Sequence, residues 1–200
     1  MINDEIEILV LYTSKNGGTK QLAEAICSGI ESIEAVFSRI RTIPELKQHN
    51  HEILIQTSTE HPSVDKSDLL ECSGLLIGSP TRFGNMSASM KLFLDSTLDI
   101  WISGDLINKP AGVFTSTSSL HGGQESTLIT MMLPLIHHGM IIVGLPYSEP
   151  DLNTTSTGGT PYGASHVSGQ GSGGKKISDE EFRLAFSLGK RVAEVAKKLQ

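Results

Sequence analysis

Six consecutive residues, Ser14, Lys15, Asn16, Gly17, Gly18 and Thr19, form the first group able to do chemistry, and they stand where an apolar run ends. Glycines let the backbone approach a ligand closely, and the hydroxyls of Ser14, Thr19 and Thr13 add donors. This set suits a phosphate at a helix N-terminus. The same composition also serves a strand-to-helix turn that holds nothing. A second group, Pro80, Thr81, Arg82, Phe83, Gly84 and Asn85, follows another apolar run. Its backbone donors and apolar surface fit a planar ligand with heteroatoms at its edge, although from this loop alone Phe83 packed beneath it and Arg82 facing solvent is the favoured reading. The third group, Ser116, Thr117, Ser118, Ser119 and the glycines at 122 and 123, also follows an apolar run. His137 and His138 close a helical pattern before Gly139, where a histidine interacts favourably with the helix end or serves a site. Trp101, the only tryptophan, is an interface anchor or a site wall in the linker 98–106.

The elements around these groups define an architecture. Ile8–Tyr12, Gly74–Pro80, Ala111–Thr115 and Met140–Pro146 read as strands buried on both faces, as at the centre of a parallel sheet. Val36, Ser38 and Ile40 alternate in a more polar strand near the edge. Leu22, Ile26 and Ile30 recur at helical spacing, as do Leu128, Met131, Met132 and Leu135. Ser178 and Glu181 make a capping box ahead of a helix whose stripe runs through Phe182, Ala185, Phe186, Gly189, Val192, Ala193, Ala196 and Leu199. In a doubly wound sheet, loops at the strands' carboxyl ends meet in one crevice, so the three groups converge there. Between the strands, 45–67 is polar with one short apolar run at 51–58. The Gly/Ser/Thr-rich stretch 147–176 is a long insertion expected to fold over a site or against another subunit.

Composition narrows the function classes. Two hundred residues, 38% hydrophobic and 19% charged, suit one domain spanning 1–200. A formal charge of −6 argues against a nucleic-acid or anionic-membrane footprint. Cys27 and Cys72 lack metal-ligand spacing, so no metal site is expected and reduced thiols in the cytoplasm are the simplest reading. No apolar run reaches the length of a membrane span. The first loop lacks the spacing of a nucleoside-triphosphate loop.

Four motifs carry a family resemblance: PTRFGNMS at 80–87, GGQE at 122–125, HHGM at 137–140 and GGTPYGAS at 158–165. With the first loop they resemble the WrbA-type NAD(P)H:quinone oxidoreductases of the flavodoxin-like superfamily, from about residue 6 to residue 198. The resemblance implies an α/β fold with a doubly wound five-stranded parallel sheet in the order 2-1-3-4-5, helices on both faces, and the insertion after the last central strand. It implies FMN as cofactor, NADH or NADPH as donor, quinones as acceptors, and a homotetramer with sites at subunit junctions. Ser14 to Thr19 would bind the FMN phosphate. Pro80 to Asn85 would run along the isoalloxazine, with the amides of 81–84 aimed at its polar edge, and Ser116 to Gly122 would close the other side. His137 would lie at the ring as the candidate catalytic residue. Trp101 would wall the substrate pocket from a neighbouring subunit, and Asn16, where the family often has an aromatic, would bear on nicotinamide preference. The loop 116–124 is one residue longer than the common form. An FMN-binding electron carrier or regulatory module is the alternative reading.

Overall fold

A computed structural model describes residues 6–50, 52–57, 60–170 and 174–200. Strand β1 (Ile6–Tyr12) leads through a short loop into helix α1 (Gly18–Glu31), followed by β2 (Val36–Thr42). A hairpin of β3 (Glu45–His49) and β4 (Glu52–Gln56) precedes α2 (Lys66–Glu71) and β5 (Gly74–Pro80). Helices α3 (Ala88–Asp95) and α4 (Leu98–Ser103), strand β6 (Pro110–Thr117) and helix α5 (Gln124–His137) come next. Strand β7 (Ile141–Ile142), helix α6 (Asp151–Thr154), strand β8 (Ala164–Val167) and helix α7 (Asp179–Leu199) complete the chain.

The main sheet is parallel and runs β2-β1-β5-β6-β7. Counted along that sheet alone, this is the expected order 2-1-3-4-5. Strand alternation builds two cores from one sequence. Ile8 and Val10 face α1 and α7, whereas Leu9 and Leu11 face the opposite layer with Met90, Leu128 and Met131. Both faces are covered, which is why β1, β5 and β6 read as unbroken apolar runs.

The last sheet position differs from expectation. Met140–Pro146 is not one strand: Ile141 and Ile142 pair with the start of β6, the Val143 N–H donates to the Ala111 carbonyl at 2.7 Å, and the chain then leaves the sheet. Pro146 has no N–H with which to continue the ladder. The chain returns as β8, which pairs with the end of β6 from Phe114↔Ala164 to Thr117↔Val167. Two strand fragments thus share the fifth position, and the GGTPYGAS motif at 158–165 leads back into the sheet. Residues 171–173 of the expected insertion lie outside the described residues.

Three other expectations need correction. The 98–106 linker holds helix α4, closed by Gly104 at φ 76°. The polar stretch after Pro44 contains a hairpin whose first strand, ELKQH, carries one apolar residue and so gave no periodic signal. The apolar run within 51–58 does form β4; His51 and Ser58 at its ends lie outside the described residues. In α7 Ala185, Gly189, Val192, Ala193 and Ala196 are buried as expected, but Leu184 and Leu188 join them, while Phe182 and Leu199 are exposed. Small residues set that geometry, because a Cβ on Gly189 would lie 2.1 Å from the Ile26 carbonyl oxygen and one on Gly29 2.0 Å from that of Phe186. Gly189→Ala therefore forces α1 and α7 apart, and urea unfolding should show a loss of about 1–3 kcal/mol. An unchanged midpoint would contradict this packing.

Candidate functional site at the carboxyl edge of the sheet

The first loop joins β1 to α1 at the carboxyl edge of the sheet. Gly17, at φ 83°, occupies the N-cap of α1 without a side-chain hydrogen bond. The amides of Gly18 and Thr19 at the start of the helix have no intrahelical partners, so they and the positive end of the helix dipole are available to an anion. Ser14 Oγ is turned toward this end and accepts from the Lys20 amide at 3.4 Å. Thr19 is buried behind it. A Cβ on Gly18 would lie 2.6 Å from Ser116 Oγ and 2.9 Å from His166 Cδ2. Only a glycine lets α1 approach the β6 end this closely.

The second loop is a tight turn. Arg82 N–H donates to the Asn85 carbonyl at 2.7 Å and Asn85 N–H to the Arg82 carbonyl at 3.1 Å, with Phe83 at φ 53° and Gly84 at φ 75° between them. Two positive φ values at the centre define a type I′ geometry, which Phe83 adopts against its steric preference. Its ring is wholly exposed rather than packed beneath the loop. The amides of Thr81 and Arg82, expected to face a ligand, are already bonded to the Ser116 and Asn85 carbonyls. Only those of Phe83 and Gly84, at the tip of the turn, remain for that role. Arg82 Nη1 donates to the Thr81 carbonyl at 2.7 Å.

The third loop leaves β6 with Ser116 and Thr117 buried and Ser118 and Ser119 exposed. Thr117 Oγ1 donates to the Ser119 carbonyl at 2.8 Å, and Gly122 N–H donates to the same carbonyl at 3.1 Å. Gly123, at φ 92°, packs against Gly84, so the second and third loops touch.

A cavity of about 500 Å³ opens between the loops, lined by Ser14, Lys15, Asn16, Gly18, Thr19, Pro80, Thr81, Arg82, Ser116, Thr117 and Ser118. Ser168, Gly169 and Gln170 of the returning chain complete it. Across Arg82 and Lys15 lies a cavity of about 470 Å³, bounded by the β3–β4 hairpin and the start of α3. Another, of about 650 Å³, extends from Asn16 and Gly17 to Tyr12 and the hairpin. Tyr12 hydroxyl lies 2.8 Å from His61 Nδ1, and burial, with Glu60 and Glu24 nearby, pushes the phenol's pKa upward.

Two expected site residues lie elsewhere. Helix α5 begins beside the third loop and runs 14 residues, so His137 at its far end is about 20 Å along the axis from the cavity side. Trp101 joins it there, its Nε1 donating to the His137 carbonyl at 2.8 Å. His137 therefore lies at the opposite end of α5 from this chain's three loops, because helices of this layer run antiparallel to the strands. Leu98, Ile102, Leu133 and Ile136 are exposed around the pair.

Residues beyond the three sequence groups also shape the site. His166 Nδ1 lies 2.7 Å from Glu181 Oε2, and both side chains are 1% exposed. Burial alone would raise the Glu181 pKa. Hydrogen bonds from His166, the Val167 and Ser178 amides and Thr157 outweigh it and lower the value to about 2. The capping box signalled Glu181 as a helix cap; nothing in the sequence signalled His166 as its partner.

The fold and this loop set define a flavodoxin-like protein with an anion cradle at the carboxyl edge of its sheet. The chain belongs to the NADPH-dependent FMN reductase family, whose profile matches residues 6–149. A protein of Geotalea daltonii named NAD(P)H dehydrogenase (quinone) is 40% identical over 202 residues, covering 97% of this chain and 98% of that protein. One of the same name from Acidithiobacillus ferrooxidans is 40% identical over 196 residues, covering 96% and 98%. Among solved structures, a WrbA-like flavodoxin from Agrobacterium tumefaciens superposes with a TM-score of 0.69 at 24% identity, covering 98% of this chain and 99% of that one. An archaeal flavodoxin gives 0.64 at 22%, covering 96% and 99%. The cradle fits FMN: the Gly18 approach, the α1 amides and the Ser14, Thr19 and Ser116 hydroxyls make a neutral donor set for a phosphate. Among the described residues, no group of three or more His, Cys, Asp or Glu is placed to hold a metal ion, and no helix is long and apolar enough to cross a membrane.

Proposed function

We propose that this chain is a one-domain FMN-dependent oxidoreductase that passes two electrons from NADH or NADPH to quinones by a ping-pong cycle, as a cytoplasmic homotetramer. The observation that carries the reading is the meeting of three strand-end loops around the 500 Å³ cavity, with Arg82 and Lys15 on the rim it shares with the next cavity. Near-full-length similarity to proteins named NAD(P)H dehydrogenase (quinone) supports it.

Bound there, FMN would supply the redox chemistry, accepting a hydride from the nicotinamide in one half-reaction and reducing the quinone in the other. Ser14, Lys15, Asn16, Gly17, Gly18 and Thr19 hold the phosphate through neutral donors and the helix end. Pro80 to Asn85 position the ring, with the Phe83 and Gly84 amides as donors to its polar edge. Ser116, Thr117, Ser118, Ser119 and Gly122 form the opposite wall, and Asn16 faces the substrate side.

His137 and Trp101 act on a neighbouring subunit's site in this proposal. They sit on an exposed apolar face with Leu98, Ile102, Leu133 and Ile136, and such a face marks an interaction surface. Burial of this face between subunits brings the pair to a cavity from which it is remote within one chain.

Arg82→Ala should retain FMN and lower kcat/KM for NADH by about tenfold, the size expected for loss of one charged contact to the substrate or transition state. Wild-type steady-state constants would remove Arg82 from the site. The cycle itself is tested by initial velocities with NADH and benzoquinone varied together. Parallel double-reciprocal lines support two half-reactions in one pocket, and intersecting lines would contradict them.

A further inference from the structure

The neutral donor set leaves a dianionic phosphate without a buried cation among the three sequence groups. A histidine side chain, His166, is nevertheless buried directly beneath the phosphate loop. Glu181 receives five hydrogen bonds: Thr157 Oγ1, Gly158 N–H and Val167 N–H donate to Oε1, whereas Ser178 N–H and the His166 ring donate to Oε2. A carboxyl group so surrounded by donors is ionised and only accepts. On the other side of the ring, His166 Nε2 faces the Lys175 carbonyl at 3.1 Å, another group that only accepts. A neutral imidazole has one donor, so either tautomer would direct a lone pair at an oxygen. Both contacts are satisfied only when both ring nitrogens carry hydrogens.

The position of this ring gives it a task. A Cβ on Gly18 would come 2.9 Å from His166 Cδ2, so the ring lies against the first residue of α1. His166 is paired in register with Ser116, whose hydroxyl touches the same glycine. Through the Lys175 carbonyl the ring also fixes the chain that follows the cavity-lining residues Ser168, Gly169 and Gln170. A cation at the positive end of a helix is unfavourable, but it is favoured by anions on both sides: Glu181, 2.7 Å from the ring, and a phosphate dianion above the same helix end.

We infer that His166 is a buried imidazolium that makes the site select a phosphorylated flavin over an unphosphorylated one. It is a positioning residue with a charge: it sets the floor of the phosphate loop and adds a positive potential that only the phosphate uses. Riboflavin has the same ring system as FMN and no phosphate, so comparing the two isolates the effect. The inference rests on FMN binding in this cavity.

His166→Asn keeps a donor to Glu181 and removes both the charge and the bond to the Lys175 carbonyl. In fluorescence titrations of the flavin-free full chain, FMN affinity should fall about tenfold, the effect of one hydrogen bond or charge at a phosphate, while riboflavin affinity stays within about twofold. Equal weakening of both ligands would mean a merely structural role and would overturn the inference, as would unchanged FMN affinity. Wild-type protein that binds riboflavin but shows no preference for FMN overturns it too; wild-type protein that binds neither overturns the FMN site as well. Should the variant fail to fold, nitrogen-15 spectra of histidine-labelled wild-type protein at neutral pH decide the matter. Two protonated ring nitrogens on His166 support the inference, and a single neutral tautomer contradicts it.

Discussion

Gly18→Ala should abolish tight FMN binding while leaving the sheet intact. The new methyl group would stand 2.6 Å from Ser116 Oγ and 2.9 Å from His166 Cδ2, so the start of α1 must move away from the ends of β6 and β8. The displaced elements carry the donors assigned to the phosphate. Each hydrogen bond to a charged group is worth about 1.5–3 kcal/mol, so misaligning two weakens FMN by about 100-fold or more. Flavin titration monitored by fluorescence quenching checks the loss, and far-ultraviolet circular dichroism checks the fold. A Gly18→Ala protein that binds FMN like wild type would mean that the phosphate lies elsewhere.

Glu181→Gln should produce the largest loss of stability. Its carboxylate joins the insertion at Thr157 and Gly158, strand β8 at Val167, the His166 ring and the cap of α7 at Ser178. A neutral amide cannot accept at all of these positions, and it leaves the buried imidazole without its counter-charge. Removing one partner of such a pair costs about 3–5 kcal/mol. The wild-type carboxylate also sets an acid-sensitive window. Its pKa is about 2 in the folded chain against an ordinary value of 4.5, so its contribution is complete above about pH 4.5 and is lost as the pH falls toward 2. The shift corresponds to about 3 kcal/mol. Urea unfolding across this range should therefore show a steeper fall for wild type than for Glu181→Gln. Parallel pH profiles would show that the carboxylate carries no such contribution.

The parts of the fold that were legible in the sequence share one physical cause. Strands β1, β5 and β6 are buried on both faces and read as apolar runs, and α1 and α5 carry stripes that match the layers they cover. The loops at those strand ends were legible for the same reason, since each begins where a run stops. Strand β3 was hidden because it is polar and lies outside the main sheet. The fifth sheet position was hidden because β7 and β8 are separated by 21 residues and each is too short to show a period. His137 was recognised as the end of a helix, but the opposite direction of α5 relative to β6 places that end at the far edge of the sheet. His166 offered no spacing signal, as its partner is 15 residues away and is fixed only by the tertiary fold.

The anaerobic visible spectrum of the FMN-loaded protein tests the central reading most directly. Stoichiometric NADH or NADPH should bleach the flavin band near its oxidised maximum, and benzoquinone added afterwards should restore it without a further partner protein. An FMN-loaded protein whose band persists in excess NADH and NADPH, or stays bleached in excess benzoquinone, would contradict the account.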